Sequence, residues 1–156
     1  MLYDVGLDIV GDGPDRSALA ARAASLGVSD RVAFHGAVKQ PALPVFYQRA
    51  LALVVPSAEE GLGLVAVEAQ LCETPVIAFD SGGLPDVVQH DRTGILVPDR
   101  SAAALAAAIR SMLERDDQGA ALGAAGRLHA LATFAPESVA RTYADVYRSV
   151  IGSGAT

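Results

Sequence analysis

Residues 56–70, PSAEEGLGLVAVEAQ, place two carboxylates, Glu60 and Glu68, on either side of a Gly61-Leu62-Gly63 turn. A carboxylate accepts hydrogen bonds and donates none, so each acid suits neighbouring hydroxyls that donate to it. If a helix begins near Gly63, the interval between the acids spans at most about 12 Å at 1.5 Å per residue. That is the length scale of a nucleoside diphosphate sugar from ribose to hexose. Backbone amides opening the helix would meet negative charge on the diphosphate. Each such charged hydrogen bond is worth roughly 1.5–3 kcal/mol.

Taken singly, each acid has a plainer reading. Glu60 reads as a first-turn acid favoured by the helix dipole, and Glu68 as a solvated helix residue. Glu68 resists that reading because Leu64, Val65, Val67, Ala69 and Leu71 around it are apolar. An acid on a largely buried helix requires a partner.

The elements that must position these residues alternate. Short apolar runs at 5–10, 31–35, 51–56, 75–79 and 94–97 read as strands. Runs at 14–26, 43–49, 63–72, 84–89, 101–115, 118–133 and 136–151 read as helices. Such alternation predicts an α/β fold, a doubly wound, Rossmann-like parallel sheet with flanking helices. LALVV and PVIAF are continuously apolar, as strands buried on both faces require. Pro14 reads as a first-turn proline, Gly27 as a helix stop and Ser101 as a helix cap. Leu105, Ile109, Met112 and Leu113 form one helical stripe, and Val139, Tyr143, Val146 and Val150 another.

Seven of the fifteen glycines lie just past the carboxyl ends of these strands: Gly11, Gly13, Gly36, Gly61, Gly63, Gly82 and Gly83. Glycine also punctuates strand-to-helix turns generally, but only Gly27 and Gly94 fall on the opposite side. In an open parallel sheet the carboxyl edge is where ligands bind.

Composition sets the outer bounds. With 156 residues, 51% hydrophobic and 19% charged, one domain with a dense core is expected, covering 1–156. The net charge of -6, with scattered arginines and a single lysine, Lys39, speaks against a nucleic-acid partner. The lone Cys72 excludes an internal disulfide or a cysteine metal site and fits a reducing cytoplasm. The opening residues show no secretory leader, and no apolar run approaches a membrane span.

Residues 56–76, PSAEEGLGLVAVEAQLCETPV, resemble the signature of the retaining GT-B glycosyltransferases, in particular glycosyltransferase family 4. That signature has a Pro-Ser strand end and an acid before a Gly-aromatic-Gly turn. A second Glu follows eight residues after the first, then a Gly-Thr-Pro-Val exit. LDIVGDGP, DRVAFHGAV, FDSGGLPDVV and TGILVPD resemble further family segments in the usual order, so the likeness covers nearly the whole chain.

The resemblance implies roles. Glu60 would lie at the donor hexose as the catalytic-site acid, with Gly61, Leu62 and Gly63 offering amides to sugar and phosphate. Glu68 would accept from the ribose hydroxyls. Gly36, Ala37 and Val38 would lie by the nucleobase, Gly11 and Gly13 beneath the diphosphate, and Gly82 and Gly83 would shape the adjoining loop. The implied reaction moves a hexose from a nucleoside diphosphate sugar to an acceptor with retention, using no metal or other cofactor. The implied location is cytoplasmic, peripheral to a membrane in the full-length protein.

Departures carry weight. Leu62 stands for the usual aromatic, and Glu73 for a Gly, which would strain Glu73 if the position needs positive φ. The family's first strand-helix unit, with its Arg and Lys for the leaving diphosphate, and the N-terminal acceptor domain have no counterpart here; Lys39 and Arg16 do not match that motif. The chain is therefore expected to be a truncated nucleotide-sugar-binding domain, inactive alone. The strand that would separate LDIVG from LALVVP is lacking. Those two strands would then pair directly, or a second copy would fill the gap by strand exchange, or the fold would be marginal. A homodimer is the expectation, because an open apolar edge invites association. The alternative function is a non-catalytic nucleotide-binding or assembly module.

Other candidates are weaker. GDGPDR is half of a dinucleotide fingerprint, with Arg16 in place of its third glycine. His35, His90 and His129 are dispersed, and His35 reads as a plain loop residue. Asp86 reads as a first-turn acid. Tyr3, Tyr47, Tyr143 and Tyr147 read as packing residues with wet hydroxyls.

Overall fold

The structure, a computed structural model, describes residues 4–152. The chain forms two compact units that divide between Leu43 and Pro44.

In the first unit, β1 (Leu7–Val10) and β2 (Val32–Gly36) run parallel, joined by α1 (Arg16–Ser25). Their register pairs Leu7 with Val32 and slips at Val10, which faces Gly36. Helix α1 ends as its sequence requires. Gly27 takes φ 68°, its amide reaches Ala24, and the Val28 amide reaches Ala23 at 3.0 Å. Its beginning differs from expectation: Pro14 lies in a turn before the helix, where the Arg16 amide donates to the Gly13 carbonyl.

The second unit contains α2 (Leu43–Arg49), β3 (Leu53–Val55), α3 (Leu64–Leu71), β4 (Val76–Phe79), α4 (Leu84–Val87) and β5 (Gly94–Val97). Three helices follow: α5 (Ala102–Leu113), α6 (Ala120–Phe134) and α7 (Pro136–Gly152). The three strands form a parallel sheet in the order β3-β4-β5, with Leu53 beside Val76 and Val76 beside Gly94. Central β4 is buried at every position, as its apolar run predicts. β3 is only partly buried, correcting the reading of LALVV as buried on both faces. Among the described residues it has a hydrogen-bonded neighbour, β4, on one side.

Ile77, Phe79, Ile95, Val97, Met112 and Leu122 make the core, with Leu105 and Ile109 packed on it. Ser101 caps α5 by accepting from the Ala104 amide at 3.2 Å. On α7, Tyr143 and Val150 are about two-thirds exposed (62% and 66%), and Val146 is exposed as well.

Among the described residues the strands form two sheets, β1-β2 and β3-β4-β5. Of the tyrosines, Tyr143 and Tyr147 are exposed rather than packed, and Tyr3 lies outside the described residues.

Candidate functional site

The turn that follows β3 is held by the turn that follows β4. The Gly83 amide donates to the Glu60 carbonyl at 3.0 Å, and the Ser81 hydroxyl to the Ser57 carbonyl at 2.9 Å. A Cβ on Gly82 would overlap the Glu60 carbonyl oxygen, and one on Gly83 would overlap that of Gly61. Gly63 opens α3 at φ 79°, where a Cβ would stand 2.8 Å from Leu84 Cδ2. Three of the glycines thus serve the approach of protein to protein, which sequence alone did not distinguish from the approach of ligand. Around Gly61 and Gly13, by contrast, there is open space.

Glu60 is half-buried on the turn, and Glu68 is the fifth residue of α3. Only Leu64 to Glu68 is helical, about 6 Å at 1.5 Å per residue, with the remainder of the interval in the turn. A partner for Glu68 is Tyr47 in the second half of α2, whose hydroxyl donates to Glu68 Oε2 at 2.9 Å. Tyr47 is a packing residue, 8% exposed, and its hydroxyl is taken by Glu68. Burial, and then the bond to Glu68, push the Tyr47 hydroxyl well above the usual tyrosine range. Its carbonyl in turn accepts from the buried Thr74 hydroxyl at 2.7 Å.

Glu73, the departure in the exit sequence, adopts φ 62°. Its amide reaches the Gln70 carbonyl and the Thr74 amide that of Ala69, both at 2.9 Å, closing α3 in the way a glycine normally does. The strain attached to Glu73 is real. Cys72 beside it is half-buried, and burial raises its thiol pKa.

In the first unit, the Gly11 amide donates to the Gly36 carbonyl at 2.8 Å, with φ 127° and 67° at the two glycines. Gly11 and Gly13 line a pocket of about 220 Å³ with Ile9, Leu19, Phe34 and Arg16. Arg16 donates to the Phe34 carbonyl at 3.3 Å and lies over that ring, 5.7 Å from its centre. Sequence reasoning noted Arg16 only as a residue that matches neither of the motifs it was set against. Ala37 and Val38 follow Gly36 directly, Ala37 exposed and Val38 half-buried. His35 lies on β2 rather than in a loop, its Nε2 2.6 Å from Asp8 Oδ1. Asp86 occupies the first turn of α4, as expected. Among the described residues, no group of three or more His, Cys, Asp or Glu is placed to hold a metal ion, and no helix is long and apolar enough to cross a membrane.

The family model for glycosyl transferases group 1 matches residues 1–129. The chain belongs to this family. Among relatives of this group 1 chain is the GDP-mannose-dependent alpha-(1-6)-phosphatidylinositol monomannoside mannosyltransferase of Mycobacterium tuberculosis. It is 38% identical over 149 residues, 91% of the present chain and 39% of the relative. D-inositol 3-phosphate glycosyltransferase of Streptomyces coelicolor is 41% identical over 147 residues, 90% of this chain and 32% of its own. Among solved structures, sucrose-phosphate synthase of Thermosynechococcus elongatus matches with TM-score 0.82 and 37% identity, over 94% of this chain and 39% of its own. HepE of Anabaena, in complex with UDP and glucose, matches with TM-score 0.84 and 26% identity, over 95% and 41%. The group 1 chain thus spans well under half the length of these relatives, and its fold is that of GT-B glycosyltransferases.

Proposed function

We propose that this chain is the donor-binding part of a family 4 glycosyltransferase, which transfers a hexose from a nucleoside diphosphate sugar with retention. The observation that carries this reading is the strand-turn-helix of the second unit. The main chain of Glu60 is fixed by the Gly83 amide, which donates to its carbonyl at 3.0 Å, and the Glu68 carboxylate is oriented by the Tyr47 hydroxyl at 2.9 Å. Glu60 then faces the hexose, Glu68 accepts from the ribose hydroxyls, and the opening amides of α3 meet the diphosphate. In the first unit, Gly11 and Gly13 lie beneath the diphosphate, and Gly36, Ala37 and Val38 beside the base. Two relatives support the donor class through their names: one is GDP-mannose-dependent and another was solved with UDP and glucose.

The reading assigns no metal or cofactor to the chain. Transfer requires stabilising the departing diphosphate and the positive charge that develops on the sugar. The acceptor site is assigned to a further domain and the basic pair for the leaving group to the donor domain's own first strand-helix unit, so the chain alone binds donor without turnover. Its place is the cytoplasm, peripheral to a membrane in a full-length protein.

Calorimetric titration of the chain with UDP, GDP and ADP and their hexose conjugates tests this, beside Glu68→Ala. Binding of one nucleotide, abolished in the variant, is the expected result. A folded chain that binds none of them overturns the reading.

A second reading, assembly, is favoured by the strand edges. Among the described residues β1 has only β2 as a hydrogen-bonded neighbour, and β3 only β4. Open edges of this kind recruit further strands, and a homodimer formed by strand exchange would satisfy them. Light scattering that reports the mass of a single chain rules it out.

A further inference from the structure

The Tyr47–Glu68 contact carries more than packing. A carboxylate offers about four acceptor positions, and Tyr47 takes one of them at Oε2. A phenol orients the acid without neutralising it, whereas an arginine or lysine would compete for it with incoming hydroxyls. Tyr47 is itself fixed at a second point, through its carbonyl and the Thr74 hydroxyl at 2.7 Å. Thr74 belongs to the turn that closes α3, its amide on the Ala69 carbonyl at 2.9 Å. The side chain of Tyr47 therefore reaches the middle of α3 while its main chain is tied to the helix's exit. Burial keeps the phenol protonated, so it remains a donor.

We propose that Tyr47 is a positioning residue that presets the Glu68 carboxylate for a ribose, so that the site selects ribonucleotides over their 2′-deoxy counterparts. This rests on the reading that Glu68 accepts from the ribose. A carboxylate already oriented loses no rotamer freedom when the sugar arrives, and a sugar without its 2′-hydroxyl forgoes that benefit. Removing the phenol hydroxyl removes one restraint on the carboxylate, and the cost falls on the ribose form.

The test is a set of dissociation constants, taken with whichever of UDP, GDP or ADP binds best and with its 2′-deoxy form. Four chains are compared: the unaltered chain, Tyr47→Phe, Glu68→Gln and the double variant. The unaltered chain is expected to favour the ribonucleotide by roughly tenfold or more, the scale of one hydrogen bond to a charged group. Glu68→Gln removes most of that preference. Tyr47→Phe weakens ribonucleotide binding about fivefold, leaves the deoxy form within about twofold, and adds nothing to Glu68→Gln, as expected of coupled residues. Glu68→Asp draws the carboxylate back from the phenol and imitates Tyr47→Phe, which keeps the test open if the tyrosine variant folds poorly.

A preference unchanged by Tyr47→Phe and by Glu68→Asp, but lost in Glu68→Gln, overturns the positioning role and leaves the donor reading intact. A preference unchanged by Glu68→Gln overturns the assignment of Glu68 itself, and a chain that binds no nucleotide overturns both.

Discussion

Gly83 donates its amide to the carbonyl of Glu60 at 3.0 Å, and the approach is so close that a Cβ on Gly83 would overlap the Gly61 carbonyl oxygen. The turn bearing Glu60 is therefore shaped from β4 as much as from β3. Gly83→Ala should cost about 2–3 kcal/mol, because backbone must move to admit the methyl. Gly61→Ala meets open space and should stay within about 0.5 kcal/mol of the parent. Urea midpoints of the two variants decide the matter, and equal losses would contradict it.

Glu73 holds a left-handed backbone, φ 62°, that an L residue adopts at a cost. Glu73→Gly should raise stability by about 0.5–1 kcal/mol, the strain relieved less the added flexibility of the unfolded chain. The ion pair with Arg127, 3.7 Å apart between two largely solvated side chains, adds little to set against that gain. A lower urea midpoint in the glycine variant would disprove the strain.

Helix α6 crosses α3 through two glycines with different tolerances. A Cβ at Gly123 would overlap the carbonyl oxygen of Glu73, whereas one at Gly126 would stand 3.1 Å from Gln70 Cγ. Both substitutions to Ala gain about 1 kcal/mol of helix propensity. Gly126→Ala should come out near neutral and Gly123→Ala about 2–3 kcal/mol destabilised, because backbone yields less readily than a side chain. Thermal unfolding of the pair checks the order.

Asp117 accepts from the amides of Ala121 at 2.9 Å and Gly119 at 3.0 Å at the start of α6, and these bonds hold its carboxyl below the usual range. A depressed folded-state pKa contributes stability above the unfolded pKa, near 3.8, and that contribution fades as pH falls through the lower folded value. Asp117→Asn should therefore lower the melting temperature at pH 7, and the gap between variant and parent should narrow by pH 3. A gap independent of pH would assign the loss to shape rather than charge.

Much of this was legible in local pattern. The strands, the helices, the Ser101 cap and the Gly27 stop follow from signals within a few residues. The placement of Glu60 and Glu68 about one turn follows from the same stretch of chain. What escaped depends on distant chain. Tyr47 and Glu68 stand 21 residues apart, and FYQR carries no mark of a buried phenol. Gly82 and Gly83 read as shaping the loop beside the donor, but sequence cannot tell that the backbone of Glu60 and Gly61 is what comes close to them. The exposed stripe of α7 has the same period as a buried one, and only packing separates them.

That stripe has a consequence for handling. The net charge of -6 supplies long-range repulsion between chains, while Tyr143, Val146 and Val150 supply short-range adhesion. Repulsion is screened over about 8 Å at physiological ionic strength, and apolar adhesion is not. The colloidal behaviour of the chain will therefore depend on salt, with dilute buffer keeping molecules apart and concentrated salt letting α7 faces cling to one another and to vessel walls. Scattering masses compared at two ionic strengths separate such clustering from a strand-exchanged pair, whose hydrogen-bonded core is indifferent to added salt.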